Sequence, residues 1–411
     1  MSANPTTLSG HDLNRLFGEA CAAREADRCA EARDTFLLLL DYLPDAALLH
    51  AQLGLAHIGL GAYDRARDAF GRAVELAPAD SGALFNLALC QKQTGDLDGA
   101  IASYGRLHAR TPEDTDCLYN LAGCYRERGD TNRAITCYRA VLALDEHHLA
   151  AAATLAHLHH GRGEVDQAAR WYHHLLARRP GDEAARYLLD ALTGAHHDNA
   201  PESYVRGLFD SCAAGFEQTL VTDLGYDNPA ELHACLQRCP GHHQHYAHGL
   251  DLGCGTGLSG LPFAPQVDLL DGVDLSVNML ALARDKGCYA TLHTDSISHH
   301  LRTTADTYDL FIATDVFIYI GDLRELFAAA AAAARPGALF CCSTERREAA
   351  GFELRATGRF AYSRDYLQDT AAAAGWRVLT VEPTGLRREG DTRIEGDLWV
   401  LRLDTIPVEA G

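Results

Sequence analysis

The chain has 411 residues, a formal charge of −20 at pH 7, 47% hydrophobic residues and thirteen cysteines. That length argues for two domains, and the acidic excess argues against a nucleic-acid partner, whose affinity rests on clustered cations. No apolar run approaches the roughly 20 residues that span a bilayer, residues 1–10 lack the basic and apolar regions of a secretory signal, and scattered cysteines in odd number suit a reduced, cytoplasmic setting without a membrane partner.

Before residue 195 the sequence repeats every 34 residues. Pro44, Pro78, Pro112 and Pro180 lie on one register, with Glu146 in the missing place, and Ala32, Ala66, Ala100, Ala134 and Ala168 on another. Four residues after each alanine stands a ring: Phe36, Phe70, Tyr104, Tyr138 and Tyr172. Leu53, Leu87, Leu121 and Leu155 precede Gly54, Ala88, Ala122 and Ala156, while Gly61, Gly95, Gly129 and Gly163 mark the turn between two helices. Small residues let two helices cross closely, the ring fills the gap and proline ends the unit. No such unit buries its apolar face alone, so about five of them over residues 14–182 stack into one core, with residues 183–193 as a capping helix. The first domain is therefore expected at residues 1–194.

This pattern resembles the tetratricopeptide repeat (TPR). The resemblance implies an all-α superhelix with a concave groove lined by the first helix of each unit. Asn86 and Asn120 hold equivalent places there, with Gln52 and Thr154 on the same register and Lys92 and Arg126 six residues further along the helices that carry the asparagines. An amide in successive repeats suits the backbone of an extended peptide, which makes Asn86, Asn120 and Arg126 candidate substrate-binding residues. The bland alternative is a row of solvated helix positions.

Residues 195–200 are polar and break the helical pattern, so the linker belongs there and a second domain at 201–411. Tyr204, Leu208, Phe209, Phe216, Leu220, Leu224 and Tyr226, then Pro229-Ala230-Glu231-Leu232, read as amphipathic helices ahead of the first strand. Cys235, Cys239, His242, His243 and His245 loosely resemble zinc ligands in spacing. Cys235 lies in one of these expected amphipathic helices, however, and no metal is expected.

The stretch Leu250-Asp251-Leu252-Gly253-Cys254-Gly255-Thr256-Gly257 describes a strand that ends in a carboxylate and turns tightly into a helix. Glycines let a ligand press against the main chain, and Asp274, 17 residues beyond the last of them, suits the two hydroxyls of a ribose. Residues 255–260 also fit G-x-G-x-x-G, which leaves a dinucleotide site as one alternative and a cofactor-free glycine turn as another. Strands are expected at residues 267–274, 289–293, 308–314, 338–343, 376–382 and 397–403, with helices at 277–286 and 323–334. Asp251, Asp274, Asp295, Asp315 and Glu345 all fall at strand ends, where open parallel sheets bind ligands.

The pattern D-x-G-x-G-x-G over Asp251, Gly253, Gly255 and Gly257 resembles the first motif of class I S-adenosylmethionine-dependent methyltransferases. With the repeats, the chain resembles bacterial enzymes that carry a TPR array before that domain. The resemblance implies a Rossmann-like, seven-stranded α/β domain with a helical lid over residues 201–240, and S-adenosyl-L-methionine as cofactor. It implies Asp251, Gly253, Gly255, Gly257, Asp274, Leu275, Asp295, Ser296 and Asp315 as cofactor-binding residues, Asp295 meeting the adenine amino group. Tyr204 and Phe209 would help form the acceptor pocket.

Transfer to an O, N or S acceptor needs a general base only where the acceptor keeps its proton, and Asp315, Tyr319, His248 and Glu345 are the candidates. Arg364 is a candidate anchor for an acidic acceptor, with Arg387 and Arg388 as further ones, and capping or surface roles are the bland alternative for all three. The favoured reading has the repeats recruit a peptide or protein substrate. One alternative is a small-molecule methyltransferase whose repeats serve scaffolding or a homodimer; another is a non-catalytic cofactor-binding adaptor.

Overall fold

The computed structural model describes residues 8–389 and 392–404. The chain divides into two compact units, Met1–His174 and Leu175–Gly411. The array consists of five helix pairs: Gly10–Glu25 with Cys29–Tyr42, Ala47–Gly59 with Tyr63–Leu76, Ser81–Gln93 with Leu97–His108, Thr115–Glu127 with Thr131–Leu144, and Leu149–Gly161 with Val165–Arg178. The registers read from the sequence explain why. All five alanines of the grid are fully buried, and each is followed by its buried ring. A Cβ placed on Gly54 would come within 2.7 Å of the Phe70 ring, so only a glycine lets those helices cross there. Gly61, Gly95, Gly129 and Gly163 turn the chain at positive φ, and Asp27, 34 residues before Gly61, does the same at φ +59°. Asp80, Asp96, Asp114 and Asp130 cap the helices that follow them by accepting a backbone N–H, each cap contributing about 1 kcal/mol.

The second unit is built on seven strands: β1 (Tyr246–Leu252), β2 (Val267–Asp274), β3 (Thr291–Thr294), β4 (Tyr308–Ala313), β5 (Ala334–Glu345) and two that come last in the chain, separated from β5 by a short ribbon. The ribbon is β6 (Phe352–Leu354) with β7 (Phe360–Tyr362), and the last two strands are β8 (Trp376–Glu389) and β9 (Thr392–Leu403). The sheet order is β3-β2-β1-β4-β5-β9-β8. The first five strands run parallel, and β9 lies antiparallel to both β5 and β8. The order reverses between β1 and β4, and a crevice at such a switch point is where open sheets of this kind hold ligands. The fold is thus a helical TPR region followed by a class I methyltransferase sheet.

Three local features differ from the sequence reading. No helix follows β1: residues 253–263 form consecutive turns before a short 3-10 segment, Ala264–Gln266. Gly257, Gly260, Pro262 and Pro265 crowd this stretch, and glycine and proline cost helices about 1 and 3 kcal/mol each. Strand β3 starts at Thr291 rather than 289. The helix expected over 323–334 stops at Ala332, because Ala334 already pairs with Tyr308 across a bulge, so β5 runs through Arg335-Pro336-Gly337.

The helix read as the array's cap, Glu183–Thr193, belongs to the second unit. Its Tyr187 hydroxyl donates to the Gly358 carbonyl at 3.0 Å, and its ring packs against Tyr204 and Phe360. The polar segment after it is docked: Ala200 N–H donates to the Tyr319 carbonyl at 2.9 Å. Cys235 and Cys239 lie in the core beneath β1, β4 and β5, while His245 pairs with Asp268. Among the described residues no histidine, cysteine or carboxylate group is gathered to hold a metal, and no helix is long and apolar enough to cross a membrane.

Candidate active site

A cavity of about 680 Å³ opens beyond the carboxyl ends of β1, β2, β3 and β4. Gly253, Cys254, Gly255 and Thr256 form one wall with Asp274, Leu275, Asp295 and Ser296. The glycine turn is fixed by positive φ at Gly253 (+69°), Gly255 (+53°) and Gly257 (+90°). A Cβ on Gly255 would project into open space, so the main chain there is bare to whatever fills the cavity. Asp274 accepts the Gly255 N–H at 3.0 Å and the Ser276 N–H at 2.8 Å, tying the tip of β2 to the turn after β1. Burial raises its pKa against the pull of those donors. Asp295 accepts the Ser296 N–H at 2.7 Å and pairs with His299 at 2.6 Å. Burial alone would raise its pKa, but His299 and the Ser296 N–H outweigh it and hold the carboxyl below its usual range.

The opposite wall is an apolar lid. Val205, Leu208, Phe209, Phe216, Leu220 and Leu224 face the cavity from helix Glu202–Cys212 and the turns after it. The lid is latched to the helix that follows β2: Ser276 Oγ donates to Asp210 at 2.5 Å, Asn278 to the Asp210 carbonyl at 3.2 Å, and Lys286 pairs with Glu217 at 2.9 Å.

Several expected site residues do not reach the cavity. Asp251 is fully buried beneath the glycine turn, where its carboxylate accepts from Ser259 at 2.5 Å and Tyr289 at 2.7 Å and its second oxygen has no partner among the described residues. It braces the turn from beneath and does not line the cavity. Gly257 is likewise set back, against Lys286, Tyr289 and Ala283. His248 lies three residues before Asp251, paired with Asp271 at 2.7 Å with its ring against Tyr308. Glu345 is buried behind the wall between Arg387 and Arg355. Arg364 is committed to Asp397 at 2.6 Å, and Tyr204 packs on Tyr187. In the array, Asn86 and Asn120 each donate to a carbonyl one turn back in their own helix, and Arg126 lies 3.6 Å from Glu127.

Asp315, Tyr319 and Phe209 do line the cavity, Phe209 standing edge-on to Tyr319. Asp315 takes φ +57°, unusual for a residue with a side chain, and accepts from Arg387 at 3.0 Å and Asn228 at 3.5 Å. Arg387, buried, also donates to Glu345. Arg359 and Tyr226 complete this end of the wall. Arg359 and Asn228 were not singled out in the sequence, since no spacing ties them to the glycine turn, and Tyr226 was read there only as part of the amphipathic segment before β1.

Burial, reinforced by Asp274, pushes the Asp251 carboxyl up to about 7 despite its two hydroxyl donors. The fold therefore holds a proton that the unfolded chain gives up near pH 4. The resulting stability is complete below about pH 4 and is lost as pH rises through about 7. Asp251→Asn keeps an oxygen for Ser259 and Tyr289 and removes the ionisation. It is expected to flatten the fall in melting temperature between about pH 4 and pH 7; an unaltered slope would show that this carboxyl does not carry it.

Comparison with known proteins bears on this geometry. Residues 250–337 match the family model of a methyltransferase domain, and tetratricopeptide repeat models match 17–81, 51–115, 85–147 and 125–192. The chain is 29% identical over 102 residues to a ubiquinone biosynthesis O-methyltransferase of Hydrogenovibrio crunogenus, covering 24% of this chain and 42% of that protein. It is 28% identical over 152 residues to the protein of that name from Bordetella bronchiseptica, covering 34% and 63%. The chain thus spans less than two thirds of the length of these relatives. Among solved structures it is similar to the N-methyltransferase NodS from Bradyrhizobium japonicum, in complex with S-adenosyl-L-homocysteine, at 16% identity and a TM-score of 0.40, covering 49% of this chain and 98% of that one. The array is made of tetratricopeptide repeats, and the sheet carries a methyltransferase domain.

Proposed function

We propose that this chain transfers the methyl group of S-adenosyl-L-methionine to an O, N or S acceptor held beneath its lid, and that the repeats recruit the peptide or protein that bears the acceptor. The observation that carries the reading is the convergence of the bare Gly255 backbone, Asp274, Asp295 and Ser296 on one wall of a cavity large enough for cofactor and acceptor together. The dinucleotide alternative wants a helix N-terminus aimed at a pyrophosphate, and residues 253–263 form turns instead. Asp274, with lone pairs remaining beyond its two N–H donors, would hold the ribose hydroxyls, Asp295 the adenine amino group, and the open backbone at Gly255 would receive the methionyl part.

The bound cofactor supplies a sulfonium-activated methyl group. What the chain must add is alignment of the acceptor and exclusion of water, and the lid with Phe209 and Phe216 does the latter. Asp315 is engaged by Arg387 and Tyr319 has its pKa raised by burial, so neither is poised as a base at pH 7. An acceptor that is already unprotonated fits this wall best.

The apolar lid also favours a second reading, in which the acceptor is a compact molecule and the repeats serve self-association. Incubation of the purified chain with extract and S-adenosyl-L-methionine labelled in its methyl group separates them. Label is expected in the peptide and protein fraction; label confined to small molecules would favour the second reading, and no transfer at all would overturn both. Asn86→Ala with Asn120→Ala is expected to raise KM for a peptide acceptor about tenfold and to leave a small acceptor unaffected. Equal turnover of the peptide would remove the groove as the recruiting surface.

A further inference from the structure

Ser276 is a junction between the cavity wall and the lid. It is wholly buried, and its N–H, carbonyl and hydroxyl are all engaged. The N–H donates to Asp274 at 2.8 Å and helps to fix that carboxylate at the tip of β2. The Oγ accepts the Met279 N–H at 3.1 Å and so caps the helix Val277–Lys286. With the hydroxyl oriented by that cap, its single proton goes to Asp210, in the last turn of the lid helix Glu202–Cys212, at 2.5 Å. That is the length of a charge-assisted bond. Asn278 adds a second bond, to the Asp210 carbonyl at 3.2 Å.

The far end of the helix Val277–Lys286 carries another tie. Lys286 Nζ holds Glu217 of the lid at 2.9 Å, while its stem lies against the glycine turn: a Cβ on Gly257 would come within 3.1 Å of Lys286 Cγ. The tip of β2 and the glycine turn, which carry the cofactor in the proposed function, thus each stand one residue away from the lid.

Asp210 and Asp274 are two carboxylates on either side of one serine. Their repulsion adds to the rise that burial imposes on the Asp274 pKa. Ribose hydroxyls donating to Asp274 offset its charge, so the repulsion that opposes the Asp210 bond falls when the site fills. A ligand shifts an equilibrium between two states only by interacting differently with them, and this contact supplies the difference.

We propose that Asp210 is a positioning residue of the cofactor site, acting through Ser276 on Asp274 so that a bound cofactor holds the lid shut. The inference rests on the methyltransferase reading and adds an order of events to it: the acceptor pocket is complete only once the cofactor is in place.

The test is hydrogen exchange over residues 202–212, followed by mass spectrometry on the full chain with and without S-adenosyl-L-homocysteine. In the unaltered chain the ligand is expected to slow exchange there about tenfold or more. Asp210→Ala should exchange fast in both states, because Ser276 has lost its acceptor. Asp210→Asn should exchange slowly in both, because the amide oxygen still accepts from Ser276 and no longer repels Asp274. A lid held by its apolar face alone would slow equally in all three chains, and that result would overturn the proposal. Calorimetry adds a readout that a purely structural role would not move. Asp210→Ala is expected to weaken S-adenosyl-L-homocysteine binding about tenfold in the native background, and less than about twofold where Asp274 is already alanine. Equal losses in the two backgrounds would overturn the route through Asp274. Failure of the unaltered chain to bind S-adenosyl-L-homocysteine would bring down the cofactor reading itself, whereas binding without slowed exchange overturns this proposal alone.

Discussion

Replacing Asp274 with alanine is expected to weaken S-adenosyl-L-homocysteine binding a hundredfold or more, with little change in melting temperature. Two hydrogen bonds from a ribose to a buried carboxylate are worth about 1.5–3 kcal/mol each, and about 1.4 kcal/mol is a factor of ten in affinity. The same substitution releases the Gly255 N–H, so the turn that cradles the methionyl part loosens as well. The fold itself gains little from this carboxylate, because burial already disfavours its charged form. Titration calorimetry gives the affinity and a thermal melt gives the control. Binding undiminished in Asp274→Ala would remove the cofactor assignment, since no other carboxylate is tied to the glycine turn from the tip of β2.

The array was legible because its structure is local and periodic. Whatever buries Ala66 against Phe70 buries Ala100 against Tyr104 one period later, so five registers fix five helix pairs. The parallel strands were legible as apolar runs ending in carboxylates, and four of those ends, at Asp274, Asp295, Asp315 and the glycine turn, do meet at the cavity. Strand position alone does not say which way a side chain faces. Asp251 sits at a strand end and yet turns beneath the glycines toward Ser259 and Tyr289, and Glu345 turns toward Arg387.

Long-range pairing was illegible altogether. Arg387 follows Asp315 by 72 residues, and only the antiparallel insertion of β9 between β5 and β8 sets the distance from which its side chain spans to both Asp315 and Glu345. Arg364 and Arg359 look equivalent in sequence. Arg364 pairs with Asp397 on β9, and Arg359, at the turn of the ribbon five residues earlier, lines the cavity. The helix Glu183–Thr193 lies, up to residue 192, within the stretch that the repeat models match, as its apolar face suggested, and what the sequence did not show is that Tyr187 also ties it to Gly358, Tyr204 and Phe360.

The arginine that organises this end of the site also has the largest expected effect on stability. Arg387→Met leaves Asp315 and Glu345 facing each other with their shared cation gone, and breaking a buried ion pair by removing one partner costs about 3–5 kcal/mol. For a unit of this size about 1 kcal/mol shifts melting by roughly 2–4 °C, so a fall on the order of 10 °C is expected. Trp376 and Trp399, both buried in the second unit, report its unfolding by fluorescence. The cost comes from an uncompensated carboxylate rather than from lost packing, and that distinction is testable. Adding Glu345→Gln to Arg387→Met should recover part of the loss, because the amide needs no cation and Arg355 remains to donate to its oxygen. In the native background the same Glu345→Gln should destabilise, because it takes a charge partner from Arg387. A sign reversal between the two backgrounds is what a coupled buried cluster requires. Additive losses would mean that Arg387 stabilises this end by filling space, and that the left-handed turn at Asp315 does not depend on the ion pair.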